Sequence, residues 1–212
     1  DIAFAVNVAA RYMFTAKRSH ELALKRIGRY LKATRNKGMI VVPSDNILSI
    51  EAFPDADFAG MYGHENPSDP SSVRSRTGFV ILAANCPILW KSQLQTKTAL
   101  STMEAEIGAL AHCCKELFPL MDLASDLAAH FGLDPVKTTM NVTVHEDNAS
   151  ALILGNTIPP EYTPRSKFFH LETIWFREQI VKLGIKPMWM ISCFWAKDEK
   201  DITQAMIDLR NA

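Results

Sequence analysis

Ile50-Glu51-Ala52-Phe53-Pro54-Asp55-Ala56-Asp57-Phe58-Ala59-Gly60 is the stretch on which the reading of this chain turns. It is an apolar, strand-like run that carries two aspartates at its far end and then breaks at glycine. A carboxylate on a strand inside a sheet is costly unless positive charge sits beside it. Two later stretches offer carboxylates in similar settings: Ser101-Thr102-Met103-Glu104-Ala105-Glu106 and Val144-His145-Glu146-Asp147-Asn148. The expectation is that the three segments meet around divalent metal ions.

The surrounding pattern supports a sheet. Ile47–Phe53 reads as a first core strand running into Asp55, Gly78–Leu82 as a second, and Ile88–Ser92 as a third. Ala84-Asn85-Cys86-Pro87 supplies a hairpin connection, so the three form an antiparallel meander. Met39–Val42 reads as a further short strand, followed by a turn at Pro43-Ser44-Asp45-Asn46. A long helix follows the meander. Ser101 and Glu104 have capping-box spacing, and Met103, Ile107, Leu110, Ala111, Cys114, Leu117, Phe118 and Met121 make its apolar stripe. Pro119 is expected to kink or split that helix.

Met140–His145 reads as a fourth strand, uncharged enough to be central and parallel to a neighbour. A helix over Asn148–Leu154, another over Phe168–Lys182, a fifth strand over Ile185–Cys193 and a final helix over Glu199–Leu209 complete the body. That order predicts an α/β fold: a mixed five-stranded sheet, three antiparallel strands then parallel ones, flanked by helices. Residues 1–36 are helical by pattern, with Ser19 a candidate cap for the second helix.

Composition narrows the class. In 212 residues, 48% hydrophobic and 22% charged, a packed core is expected. No apolar run reaches membrane-spanning length, so no membrane partner is expected. Cys86, Cys113, Cys114 and Cys193 fit neither a zinc pattern nor a disulfide framework, which points to a reducing intracellular compartment. The chain opens on Asp1 rather than methionine, as a piece of a longer polypeptide would. Formal net charge is zero, yet residues 1–40 carry +7 and the remainder −7. A basic segment joined to an acidic body suits a nucleic-acid handle beside a carboxylate site, and equally a solvated helix face.

Ligands gather where the strands of an open α/β sheet end and helices begin. Asp55 and Asp147 are neighbours there if the first and fourth strands pair, and Glu104 or Glu106 completes the set from the helix. Helical geometry does not choose between the two glutamates. Such carboxylates suit Mg²⁺, with Mn²⁺ an alternative, and two ions can drive phosphodiester cleavage without a nucleophilic side chain. Blander roles exist for each: Asp147 as a helix N-cap, Asp57 as a turn residue, Glu104 as half of a capping box, Glu106 as a solvated helix residue.

Together the segments resemble the ribonuclease H domain of copia-type retrotransposon Pol polyproteins. The resemblance rests on Pro54-Asp55-Ala56-Asp57-Phe58-Ala59-Gly60, Arg74-Ser75-Arg76-Thr77-Gly78-Phe79, Trp90-Lys91-Ser92-Gln93, Leu100-Ser101-Thr102-Met103-Glu104-Ala105-Glu106 and Glu146-Asp147-Asn148. Lys167 and Trp175-Phe176-Arg177-Glu178 extend it. It implies a ribonuclease H-like domain over residues 46–210, preceded over residues 1–41 by the tail of the reverse transcriptase portion. It implies a metal-dependent endonuclease cutting the RNA strand of RNA–DNA hybrids, with Asp55, Glu104, Asp147 and Asp201 as catalytic and metal-binding residues around two Mg²⁺ ions. Glu106 is the alternative to Glu104. His170 stands where a proton shuttle would be useful, or is an ordinary exposed helix residue. The implied partners are the hybrid and the reverse transcriptase of the same polyprotein, in a cytoplasmic virus-like particle or the nucleus.

The sequence departs from the family pattern in places. Pro54 and Phe58 replace its serine and tryptophan, and Phe168 stands at its histidine. Glu199-Lys200-Asp201-Ile202-Thr203 only echoes its C-terminal segment. A catalytically decayed nucleic-acid-binding or structural module is therefore the alternative function. An integrase or transposase ranks last, because the acids run Asp, Glu, Asp.

Overall fold

The first strand, β1 (Ser49–Asp57), alternates inward and outward residues, and Ile50, Ala52, Pro54 and Ala56 are its buried members. This is the period-two pattern of a strand with one face on a core. The computed structural model describes residues 2–42, 49–64, 68–132, 140–157 and 175–189. Within them, β2 (Arg76–Ala83) pairs antiparallel with β1, and β3 (Cys86–Leu94) pairs antiparallel with β2. β4 (Asn141–Glu146) runs parallel to β1, and β5 (Lys186–Trp189) parallel to β4. The sheet order is β3-β2-β1-β4-β5. The mixed five-stranded sheet expected from sequence is therefore present.

The β2–β3 hairpin closes on two residues, Ala84 and Asn85, with φ of 47° and 66°. Two successive left-handed residues match the twist of a hairpin, and asparagine tolerates that region far better than alanine.

Helix α3 (Thr102–His130) covers one face of the sheet. Its buried stripe of Ile107, Leu110, Ala111, Cys114, Leu117 and Met121 joins Ile50, Ala52, Phe79, Ile81, Val142 and Val144 in one core. Helices α4 (Ala149–Asn156) and α5 (Phe176–Leu183) add Ala151, Leu154, Phe176 and Ile180 to it. Buried Arg177 ties α5 to the end of α4 through its guanidinium, whose Nε donates to the Thr157 carbonyl at 2.7 Å. Gly184, at φ 64°, ends α5 in the left-handed conformation that glycine adopts without strain.

Residues 2–41 fall in a compact unit separate from that of the sheet. It holds α1 (Ala3–Arg11) and α2 (Arg18–Thr34), joined by Tyr12 stacked on His20 with ring centroids 4.0 Å apart. Along α2, Lys25, Arg29 and Lys32 recur at helical spacing opposite Ile27 and Leu31. None of the described helices is long and apolar enough to cross a membrane.

Three local expectations are corrected. Ser19 is not the cap of α2: the helix starts at Arg18, and His20 Nδ1 accepts the Lys17 backbone N–H at 3.0 Å. Met39–Val42 forms no strand, and its four residues are exposed. Pro119 does not split α3, because it sits on the exposed side while Leu117 and Met121 hold the flanking turns in the core. The final helix expected over Glu199–Leu209 and the turn at Pro43–Asn46 lie outside the described residues.

Relieving Ala84 of its left-handed strain should stabilise the domain. A left-handed alanine costs roughly 1–2 kcal/mol, and glycine's extra unfolded-state freedom returns roughly 0.5–1. Ala84→Gly is expected to raise unfolding free energy by about 0.5–1 kcal/mol, read from urea denaturation midpoints.

Candidate metal centre

The site forms where β1 and β4 stop pairing. Their register ends at Ala52↔Val144, two residues before Pro54, which has no N–H with which to continue a ladder. Beyond that point the two strands part, and Asp55 stands on one side of the opening with Asp147 on the other, one residue past the end of β4. Glu106, in the second turn of α3, completes the group. One carboxylate oxygen from each of Asp55, Glu106 and Asp147 lies within 4.8 Å of the other two.

Local capping decides which acids are available. At the start of α4, Asn148 is the N-cap: its Oδ1 accepts the backbone N–H groups of Ser150 and Ala151 at 3.0 and 3.1 Å. Asp147 is thereby free of the capping role its position suggested. At the start of α3, Ser101 Oγ accepts the Glu104 N–H at 3.2 Å, and Glu104 Oε2 accepts the Leu100 N–H at 2.7 Å. Glu104 is thus committed to the helix end.

The preference for Glu104 over Glu106 is corrected on this ground. Two residues apart on a helix, the glutamates point roughly 200° away from each other. Glu106 is flanked by fully buried Ala105 and Ile107 and keeps 6% of its surface. Sequence pattern could not separate them, because both flank the apolar stripe; the separation depends on how α3 is rolled against β1. Asp57 is the last residue of β1, opposite Arg76. Its carboxylate lies 2.0 Å from where a Cβ on Gly60 would stand, so a larger residue at 60 would require that carboxylate to move. Asp201 and His170 lie outside the described residues.

The residue that sequence reasoning passed over is Glu146. It ends β4 on the same inward row as Val142 and Val144 and is 1% exposed. Its Oε1 accepts the Asn148 N–H at 3.1 Å, while Oε2 has no partner. Glu106 Oε2 is likewise buried without a partner. The signal was present in the alternation Val142, Val144, Glu146, which puts a third inward side chain after two valines.

Crowded carboxylates resist ionisation. Burial, then the charges of Glu146, Asp55 and Asp147, push Glu106 up to about 8, against an opposing backbone interaction with Ala56. Burial also pushes Glu146 up to about 8, with the Asn148 N–H opposing and Asp147 and Asp55 adding. Asp55 is raised as well, by burial of its carboxyl and by Asp147. Cys113 and Cys114 are buried thiols whose pKa values are raised, Cys113 to about 12, so neither offers a thiolate. His145 is held elsewhere, with Nε2 2.8 Å from Glu51 Oε2 and its ring stacked on Phe53. The donor set is all oxygen. That is the chemistry of hard divalent cations, and the two unpartnered buried oxygens fit it.

The sheet thus carries acids at the ends of two adjacent parallel strands, with a third on the covering helix. The chain is 31% identical over 180 residues, 85% of its length, to the retrovirus-related Pol polyprotein from transposon RE1 of Arabidopsis thaliana. It is 32% identical over 188 residues, 89% of its length, to that from transposon TNT 1-94 of Nicotiana tabacum. Over most of its length the chain is thus similar to retrovirus-related Pol polyproteins of copia-type transposons. It spans only 11% and 13% of those two relatives. No family model matches it. Among solved structures, LC11-RNase H1, isolated from compost, is 16% identical and aligns over 74% of this chain and 98% of its own, with a TM-score of 0.46.

The raised acids make a signed prediction for the cation-free protein. Glu106 and Glu146 hold their protons to about 8 when folded, against 4.5 for an ordinary glutamate. Between these values the native state binds more protons than the unfolded chain, so stability falls as pH rises. Urea midpoints measured in a chelator are expected to decline from about pH 5 to pH 8. Replacing both residues by glutamine is expected to flatten the decline.

Proposed function

We propose that this chain is a divalent-cation-dependent ribonuclease that cuts the RNA strand of RNA–DNA hybrids. The observation that carries the reading is the meeting of Asp55, Glu106 and Asp147 within 4.8 Å, with Glu106 buried and no basic side chain paired to it among the described residues. Asp55, Glu106 and Asp147 would hold Mg²⁺ or Mn²⁺, which supplies an activated water and charge stabilisation for phosphodiester cleavage. The protein's own part is to fix three oxygens on rigid elements: β1, the first turns of α3, and the end of β4 locked by the Asn148 cap. Asp201 is proposed as a fourth ligand through the family resemblance alone.

Similarity to the Pol polyproteins supports a hybrid as substrate and the reverse transcriptase portion as neighbour. On this reading residues 1–41 are the tail of that portion and residues 46–210 the nuclease. The basic side of α2 is proposed as a phosphate-contacting surface. Glu21 pairs with Arg18 and Lys25, leaving Arg29 and Lys32 as its least neutralised charges. A hybrid would be held by shape, phosphates and 2′-hydroxyls, with little sequence preference.

Cleavage of an end-labelled RNA–DNA hybrid in Mg²⁺ tests the reading. Asp55→Asn, Glu106→Gln and Asp147→Asn are each expected to lose activity on the order of a thousandfold, since cation charge stabilisation supplies several kcal/mol. Glu104→Gln is expected to cut within a few-fold of the parent after correction for stability. A parent protein that binds the hybrid but leaves it whole would instead favour the non-catalytic module. Separately, Arg29→Ala and Lys32→Ala are each expected to reduce the slope of log affinity against log salt by about 0.9, the signature of one lost phosphate contact.

A further inference from the structure

We propose that Gln95 is a positioning residue of this centre: its side-chain amide clamps the turn of α3 that carries Glu106 to the strand pair that carries Asp55. The proposal rests on the reading of Asp55, Glu106 and Asp147 as a cation site. Its own ground is the hydrogen bonding and close packing of one glutamine.

Gln95 directly follows β3, and its backbone N–H donates to the Ser75 carbonyl at 2.9 Å, just ahead of β2. From that anchor its side chain uses both of its N–H bonds. Nε2 donates to Thr77 Oγ1 at 3.0 Å and to the Ala105 carbonyl at 2.9 Å. A carbonyl can only accept, so Ala105 dictates which way the amide faces. Thr77 is 1% exposed and lies opposite Ala56, the residue after Asp55. Ala105 is the residue before Glu106. One side chain thus links the helix turn of Glu106 to the strands beside Asp55.

Gly108 is the second observation. A Cβ there would stand 3.2 Å from Gln95 Nε2 and 3.5 Å from its Oε1. Glycine inside a helix is a weaker choice than alanine, and Gly108 is not among the left-handed glycines. Its missing side chain leaves room for the amide. Ala105 and Gly108 are three residues apart on one face of the helix, so together they form the seat in which the amide lies.

Contact between α3 and β1 at this level otherwise rests on alanines. Ala56, Ala99, Ala105 and Ala109 form a small buried cluster of their own. Methyl groups let the helix come close to the strand, yet they offer little shape to stop it sliding along. The larger side chains, Ile107, Leu110 and those after them, belong to the main core. Gln95 supplies the directional bond that the alanines lack. It fixes how far the Ala105–Gly108 turn advances over the sheet, and with it the place of the Glu106 carboxyl relative to Asp55 and Asp147.

The test is calorimetric titration of the full 212-residue chain with MnCl₂, each variant held well below its melting temperature in EDTA. Gly108→Ala is the discriminating change, since it touches no acid and adds a better helix former. It is expected to weaken Mn²⁺ binding by about ten- to a hundredfold, the range for groups that orient ligands without binding the ion. A glycine with no such role would leave affinity at the parent value. Gln95→Met, similar in length but without donors, is expected to lose as much. The double variant is expected to lose less than the two single losses combined, because both changes act on the same contact. Asp55→Asn serves as the direct-ligand control. Parent-like affinity in either single variant, with binding lost in Asp55→Asn, overturns the role of Gln95 and leaves the cation site standing. Losses that simply add in the double variant overturn it as well. A parent that binds no Mn²⁺, or binds it unaltered in Asp55→Asn, overturns the cation site and the proposal with it. Should Gln95→Met fail to fold, Gly108→Ala alone decides.

Discussion

Four carboxylates crowded at the mouth of a sheet, two of them buried, are the constraint around which this domain is built. Glu106 and Glu146 each bury a carboxyl oxygen that has no hydrogen-bond partner among the described residues, at a cost in desolvation. An apolar core on the far side of the same elements holds them there. The α3 stripe and the inward rows of β1 and β4 bury together, so the strand ends cannot separate without exposing Ile50, Val144 and Leu110. The acids are therefore close because the hydrophobic layer makes them close, against their own repulsion.

Backbone capping does the finer selection. Ser101 and Glu104 satisfy the open end of α3, and Asn148 satisfies that of α4. Those three residues meet the donors that would otherwise compete for the site's oxygens. Glu106 and Asp147 are left to face each other and Asp55. Pro54 contributes from the other side by stopping the β1–β4 ladder before the carboxylate level. The opening between the parallel strands is thus written into the backbone chemistry of one residue. That residue departs from the family pattern and still serves the site.

Similarity to the transposon Pol polyproteins gives these features a setting. The matched region is a small share of much longer relatives, and the chain itself falls into a basic two-helix unit and an acidic sheet body. The two differ in electrostatic character. A solvated, basic helix face acts through long-range attraction and is screened by salt. The carboxylate centre acts at contact distance in a partly desolvated opening, where charge is felt most strongly.

The sequence by itself determined the sheet. Period-two rows in β1, β2 and β4, a hairpin connection at Ala84-Asn85, and a single apolar stripe along α3 mark the strands and the covering helix, because each pattern is local; the parallel pairing of β1 with β4 came only from the tertiary structure. It also marked Asp55 and Asp147, as acids at the ends of strands. Only the tertiary structure decided among the acids on the helix. Glu104 and Glu106 flank the stripe alike, and the roll of α3 on β1, fixed by the packing of Ala105 and Ile107, turns Glu106 inward and leaves Glu104 to its cap. Tertiary packing also decided the fate of Pro119, whose break in the helix is overruled by buried turns on either side. Glu146 is the sharpest instance. In sequence it is one more polar residue at a strand end, and only the three-dimensional neighbourhood makes it a buried carboxyl whose pKa is pushed up to about 8.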